Sequence, residues 1–121
     1  MKNTINIGRD FSQDPAGRFR EDGDSSGEAF REDLLKAAIL ELGPGEKLEI
    51  IIDDNVEGYG SSFLSEGFAG MVKYGYITSD DFLSKINIVY TNADFKFYME
   101  KIHQYIEEAK YNSEEYKPTA K

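Results

Sequence analysis

Cysteine is missing from the chain altogether, and histidine occurs once, as His103. The first absence removes disulfides, thiolate metal sites and a thiol nucleophile. The second leaves zinc centres and nucleophile–base triads with little material, and His103 reads as a surface residue on the polar side of the last helix. A chain without cysteine also suits a reducing, intracellular setting. The opening stretch MKNTINIGRD carries no apolar run of the kind a signal peptide needs, and no segment approaches a membrane span. A cytoplasmic protein is therefore expected.

Positive charge is scarce as well. Fourteen Lys and Arg stand against 23 Asp and Glu, for a net charge of −9. That sign opposes attraction to nucleic acid and to anionic membrane surfaces, so neither is an expected partner. Arginine is confined further, to Arg9, Arg18, Arg20 and Arg31, and every later basic residue is a lysine. The guanidinium fork suits carboxylate or phosphate in a way that an ammonium does not. Arg9, Arg18 and Arg20 are thus candidates for an anion site. The plainer reading pairs them with Asp10, Asp14, Glu21, Asp22 and Asp24 nearby.

What remains describes one compact domain. Apolar residues make up 40% of the 121 and aromatics 13%, which fits a globular chain with a single core. Residues 1–110 are expected to form the domain, and 111–121 a flexible polar tail. No internal repeat or low-complexity segment is present.

Alternation of Ile5, Ile7 and Phe11 predicts a half-buried strand over residues 4–11. A glycine- and aspartate-rich loop follows over 12–26, in which Arg18 and Arg20 flank Phe19 and, if extended, share one side. Ser25 and Glu28 predict a capping box that opens a helix to about residue 42, stopped by Gly43-Pro44-Gly45. The apolar run at 48–52 reads as an inner strand covered on both faces. After Asp53-Asp54-Asn55 and Gly58-Tyr59-Gly60, Ser61 or Ser62 is expected to cap a second helix carrying Phe63, Leu64, Phe68, Met71 and Val72. Gly67 and Gly70 inside it imply close packing against the sheet. A short helical turn capped around Thr78, a third strand at 86–90 and a strongly amphipathic last helix complete the chain. Strands alternating with helices imply a mixed or mostly parallel sheet in an α/β fold, with ligands or partners at the carboxyl ends of its strands. The arginine loop and the 53–62 turn both leave such ends.

Ser61 and Ser62 have two readings. They cap a helix, or one of them accepts a phosphate that the helix amino terminus then stabilises, beside Arg18 or Arg20. Asp53, Asp54 and Glu57 show no spacing diagnostic of magnesium, and a solvated strand end is the simpler account. Gly58-Tyr59-Gly60 lacks the third glycine of a dinucleotide fingerprint and the lysine of a P-loop. No catalytic constellation or resident cofactor emerges, so an enzyme is not expected.

Ile50-Ile51-Ile52-Asp53, followed by Ser61-Ser62-Phe63, Glu66, Phe68 and Gly70, resembles the pattern of STAS-like domains of unknown function from bacterial and phage genomes. Gly17-Arg18-Phe19-Arg20 resembles an upstream segment of the same family, and the resemblance runs from about Ile5 to Ala109. It implies a small STAS-like sandwich. Such domains are similar in turn to anti-sigma factor antagonists, in which a strand leads into Asp-Ser-Ser-Gly and the first serine is phosphorylated by a partner kinase. That serine corresponds to Ser61, although Gly60 replaces the aspartate, Phe63 replaces the glycine, and the linker is longer. The resemblance implies a non-enzymatic regulatory module that meets a protein partner through Asp53, Tyr59, Phe63 and Glu66. A histidine-kinase-like ATPase or another regulator is the implied partner. The alternative is a sensor holding a nucleotide or other small anion with Arg9, Arg18 and Arg20.

Overall fold

The computed structural model describes residues 3–119, and the outermost two at each end, including the last two of the expected tail, lie outside the described residues. Three short strands, β1 (Thr4–Asn6), β2 (Leu48–Ile51) and β3 (Ile86–Val89), pair in parallel in the order β1-β2-β3. Ile5, Ile50 and Ile88 fall in register across the sheet, as do Leu48 and Ile86. All five are buried. The opposite face carries Thr4, Glu49 and Asn87 in one row, with Glu49 and Asn87 exposed.

Four helices cover the buried face. Helix α1 spans residues 27–40, α-helical over Gly27–Phe30 and Lys36–Leu40 with a π-helical segment, Arg31–Leu35, between them. Helix α2 spans residues 61–73 and is built the same way, with Ser65–Ala69 as its π-helical segment. Helix α3 is Ser79–Lys85; α4 is Lys96–Glu108, entered through a 3-10 turn, Ala93–Phe95. Because α1 packs on α2, α2 on α4 and α4 on α3, the helices form a single layer. The architecture is a two-layer α/β sandwich. Strand β2 is therefore covered on one face only, contrary to the reading of its apolar run. No described helix is long and apolar enough to cross a membrane.

The first strand and the cap of α1 also differ from expectation. The first strand stops at Asn6, because local polar bonds offer the backbone an alternative to the ladder. Asn6 Oδ1 accepts from Arg9 N at 3.1 Å and the Asp10 carboxylate accepts from Asn6 N at 2.9 Å, winding Ile7–Phe11 into a π-helical turn. Phe11 then meets the rings of Phe30 and Phe63, at 5.5 and 6.1 Å. The cap of α1 is Ser26, whose Oγ accepts from Ala29 N; Ser25 instead donates to Ser12 Oγ. The loop carbonyls of Gly17 and Arg18 take the amides of Gly27 and Glu28, two of the donors a helix start leaves unpaired. Glu28 is thereby freed from any capping box.

Glycines in the helices serve the α1–α2 crossing rather than the sheet. A Cβ on Gly27 would lie 2.6 Å from the Phe63 carbonyl oxygen and 2.9 Å from Gly67 N, and one on Gly70 would lie 2.5 Å from Arg31 Nη1. Backbone at the crossing cannot yield as a flexible side chain can. Gly27→Ala is expected to lower stability by about 1–3 kcal/mol in chemical denaturation. A change near zero would show that the two helices separate easily.

The segment after α4, expected as a flexible tail, lies against the body in the structure. Asn112 N donates to the Val72 carbonyl at 2.9 Å and Glu114 N to the Lys73 carbonyl at 3.0 Å, and the chain then continues over α1 to Thr119.

Candidate functional site at the carboxyl ends of the strands

Polar side chains stitch together the turn between β2 and α2. Asp53 accepts from Thr91 N at 2.6 Å, Asn92 N at 2.8 Å and Thr91 Oγ1 at 3.2 Å, tying the end of β2 to the segment after β3. Burial would raise its carboxyl pKa, but these donors outweigh burial and hold it below the usual range. Asp54 accepts from Asn6 Nδ2 at 2.7 Å and so ties the turn to β1. Tyr59 folds back to donate to the Ile52 carbonyl at 2.6 Å, and its ring packs on Phe63 and Tyr98. Burial pushes the Tyr59 hydroxyl pKa upward, so it stays a donor at neutral pH. Among the described residues no cluster of three or more His, Asp or Glu side chains is arranged to hold a metal ion.

Helix α2 begins without a side-chain cap. Gly60 occupies the capping position, and no side-chain hydrogen bond closes the first turn. Ser61 and Ser62 are therefore the first two helical residues instead of caps, with Ser61 exposed and Ser62 half-buried. Arg18 reaches them across the mouth of the sheet: its Nη2 lies 3.5 Å from Ser62 Oγ, and its Nη1 lies 3.6 Å from Glu66 Oε1. The arginine loop and the serine turn thus face one another. A guanidinium and a helix amino terminus converge there, an arrangement suited to an added phosphate.

The other two arginines of the expected anion site go elsewhere. Arg20 forms a two-pronged bond to Asp33, at 2.8 and 3.1 Å, and Arg9 pairs with Asp10 at 2.8 Å. Arg18 and Arg20 leave the loop in different directions because a 3-10 turn, Arg20–Asp22, interrupts it. Of the residues expected to meet a partner, Phe63 and Glu66 are buried, Asp53 holds the Thr91–Asn92 corner, and Tyr59 is half-buried. The surface of the turn is made instead by Asp54, Asn55, Glu57, Gly60 and Ser61. Beside it stands Phe97, 57% exposed, with its ring 5.5 Å from Tyr98, which is in turn 5.5 Å from Tyr59. Amphipathic spacing places Phe97 off the buried stripe of α4, and that is the only sequence signal it gives.

Where α1 meets α2 lies a buried charged cluster whose full membership the spacing of its residues does not show. Arg31 Nη1 donates to the Glu66 carbonyl at 2.6 Å and to its Oε2 at 2.9 Å, while Nε donates to Glu32 Oε2 at 2.8 Å. Tyr74 donates to Glu66 Oε2 at 2.7 Å and Tyr76 to Glu32 Oε2 at 2.7 Å. The guanidinium carbon lies 4.6 Å from the Tyr74 ring centre and 4.9 Å from that of Tyr116. The two π-helical segments meet here, and such segments often mark functional positions.

Comparison with known proteins supports the assignment that the motif suggested. No curated protein and no solved structure matches the chain, but the family of STAS-like domains of unknown function matches it over residues 26–96. That stretch runs from the cap of α1 to the first residue of α4 and contains β2, the turn, the serines and β3. It is more than half of the 121 residues, and the chain belongs to the family of STAS-like domains of unknown function.

Proposed function

We propose that this domain is a non-enzymatic regulatory module that binds a protein partner at the 53–62 turn and the start of α2, and that phosphate on Ser61 or Ser62 switches the binding. The observation that carries the reading is Arg18 at the uncapped amino terminus of α2, 3.5 Å from Ser62 Oγ, with Ser61 exposed beside it. A phosphate there gains the free amides of the first helical turn and a guanidinium partner. It also adds charge, near −2, to a rim already carrying Asp54 and Glu57. A partner that tolerates the unmodified rim is then repelled. The carboxylates nearest the turn are held by backbone and side-chain tethers, which supports binding over catalysis.

Exposed aromatics make strong anchors at protein interfaces. Phe97→Ala is expected to weaken partner capture about tenfold or more, a hot-spot-sized loss, with the melting temperature unchanged. Undiminished capture would remove Phe97 from the interface.

The modification itself is tested by incubating the protein and its Ser61→Ala and Ser62→Ala variants with ATP in native host lysate, then mapping phosphate by mass spectrometry. Phosphate confined to this pair is the expected result. An unmodified pair, under conditions that phosphorylate other proteins in the lysate, would contradict the switch.

A further inference from the structure

The carboxylate of Glu28 is fully buried on α1, and most of what satisfies it comes from the far end of the chain. Tyr116 Oη donates to Oε2 at 2.5 Å, Thr119 N to Oε2 at 3.1 Å and Thr119 Oγ1 to Oε1 at 2.6 Å. Arg20 supplies the rest from nearby, its amide at 2.9 Å from Oε1 and its guanidinium Nε at 3.9 Å from Oε2. The same Tyr116 ring lies 4.9 Å from the Arg31 guanidinium carbon and 5.4 Å from the Tyr74 ring, so the two rings touch beside the guanidinium. Arg31 Nη2 is buried there without a hydrogen-bond partner among the described residues. Tyr116 and Thr119 are three residues apart and reach one carboxylate.

Outside these contacts the segment is attached lightly. Its backbone is joined to α2 through the Asn112 and Glu114 amides, and Glu114 meets Lys73 at the 4.0 Å limit of an ion pair. Residues 113–115, 117 and 118 are exposed. Glu28, Arg31, Glu66 and Tyr74 lie within the family match over residues 26–96, and the segment over them lies beyond it. With that segment lifted, Glu28 loses three donors and Arg31 loses one of its two aromatic neighbours. What is left is a preformed carboxylate acceptor beside a guanidinium already stacked on Tyr74. Those features recognise an aromatic hydroxyl and a second hydroxyl three residues on.

We propose that the α1–α2 seam is a peptide-recognition site for a Tyr-x-x-Thr segment, and that residues 112–119 occupy it in cis as a displaceable strap. This site is separate from the serine turn and does not depend on the phosphate switch. An intramolecular ligand competes at high effective concentration, so the closed chain excludes a free peptide that an emptied site accepts.

The test uses the full-length chain and a fluorescent synthetic peptide of residues 110–121. Saturable binding to the Tyr116→Ala/Thr119→Ala variant is expected, with binding to wild type weaker by about tenfold or more because the strap competes. Equal binding to both proteins, or none to a variant that melts like wild type, overturns the proposal. Should the variant fail to fold, amide exchange in the wild-type protein decides. The Asn112, Glu114 and Thr119 amides are expected to exchange far faster than those of β2, through strap opening alone. Exchange of both sets only on global unfolding would make the segment a fixed part of the fold and overturn the proposal.

Discussion

Arg31→Ala is expected to destabilise the domain by about 3–5 kcal/mol, the range for removing one partner of a buried ion pair. The side chain is fully buried, and it compensates the Glu66 carboxylate, itself 1% exposed, and Glu32, 13% exposed. Burial works against the charged guanidinium, yet its bonds to Glu32 and Glu66 outweigh that and raise the Arg31 pKa. Removing it leaves Glu66 with Tyr74 and a distant Arg18 as donors, and opens a void beside two tyrosine rings. Lysine is no substitute, because one ammonium cannot bond Glu32 and the two Glu66 oxygens while stacking flat. Removing the charges together is gentler: Arg31→Met with Glu66→Gln should recover part of the loss. Urea unfolding of the two variants checks both statements. A loss below about 1 kcal/mol for Arg31→Ala would match an exposed pair and contradict the buried one.

Acid is expected to remove a similar amount. Burial alone would raise the Glu28 carboxyl, but hydrogen bonds from Thr119, Tyr116 and the Arg20 amide outweigh it and hold the pKa at about 2, against an ordinary 4.5. The folded state thus binds this proton more weakly than the unfolded chain does. The corresponding stability is fully present above about pH 4.5 and is lost as pH falls toward 2, to the extent of about 3 kcal/mol. Asp10 and Asp53, also held below their usual range, act in the same direction. Glu28→Gln should lower stability at pH 7 and flatten this acid limb. The groups facing Glu28 are the Arg20 guanidinium at 3.9 Å, Tyr116 and Thr119, none of which titrates in that window. A slope unchanged in Glu28→Gln, measured by denaturant unfolding between pH 7 and 3, would assign the acid sensitivity to other carboxylates.

The elements that periodicity controls were legible in the sequence, and those that long-range polar contacts control were not. Leu48–Ile51 and Ile86–Val89 are strands because β-branched residues sit between turn signals, and α4 follows its apolar stripe. Thr78 and Asn92 cap as their positions suggest. Residues 7–11 alternate like a strand, yet Asn6 and Asp10 redirect the backbone into a helical turn, a choice between local bonds that alternation cannot register. Glu49 in an otherwise apolar run was the sign that β2 has an open face. The site divided along the same line. Arg18 meeting Ser62 follows from both loops leaving carboxyl ends of parallel strands, whereas Arg9 and Arg20 are taken by near neighbours in the fold. Arg31 and Glu66 are 35 residues apart, and nothing local tells a buried pair from two solvated charges.

The most direct test of the account is capture from native host lysate with wild type and Ser61→Asp as paired baits, each confirmed to be folded. A switch at the start of α2 predicts proteins held by the wild type and released by the aspartate, with Phe97→Ala losing the same proteins. Identical sets from wild type and Ser61→Asp would contradict a switch at the start of α2.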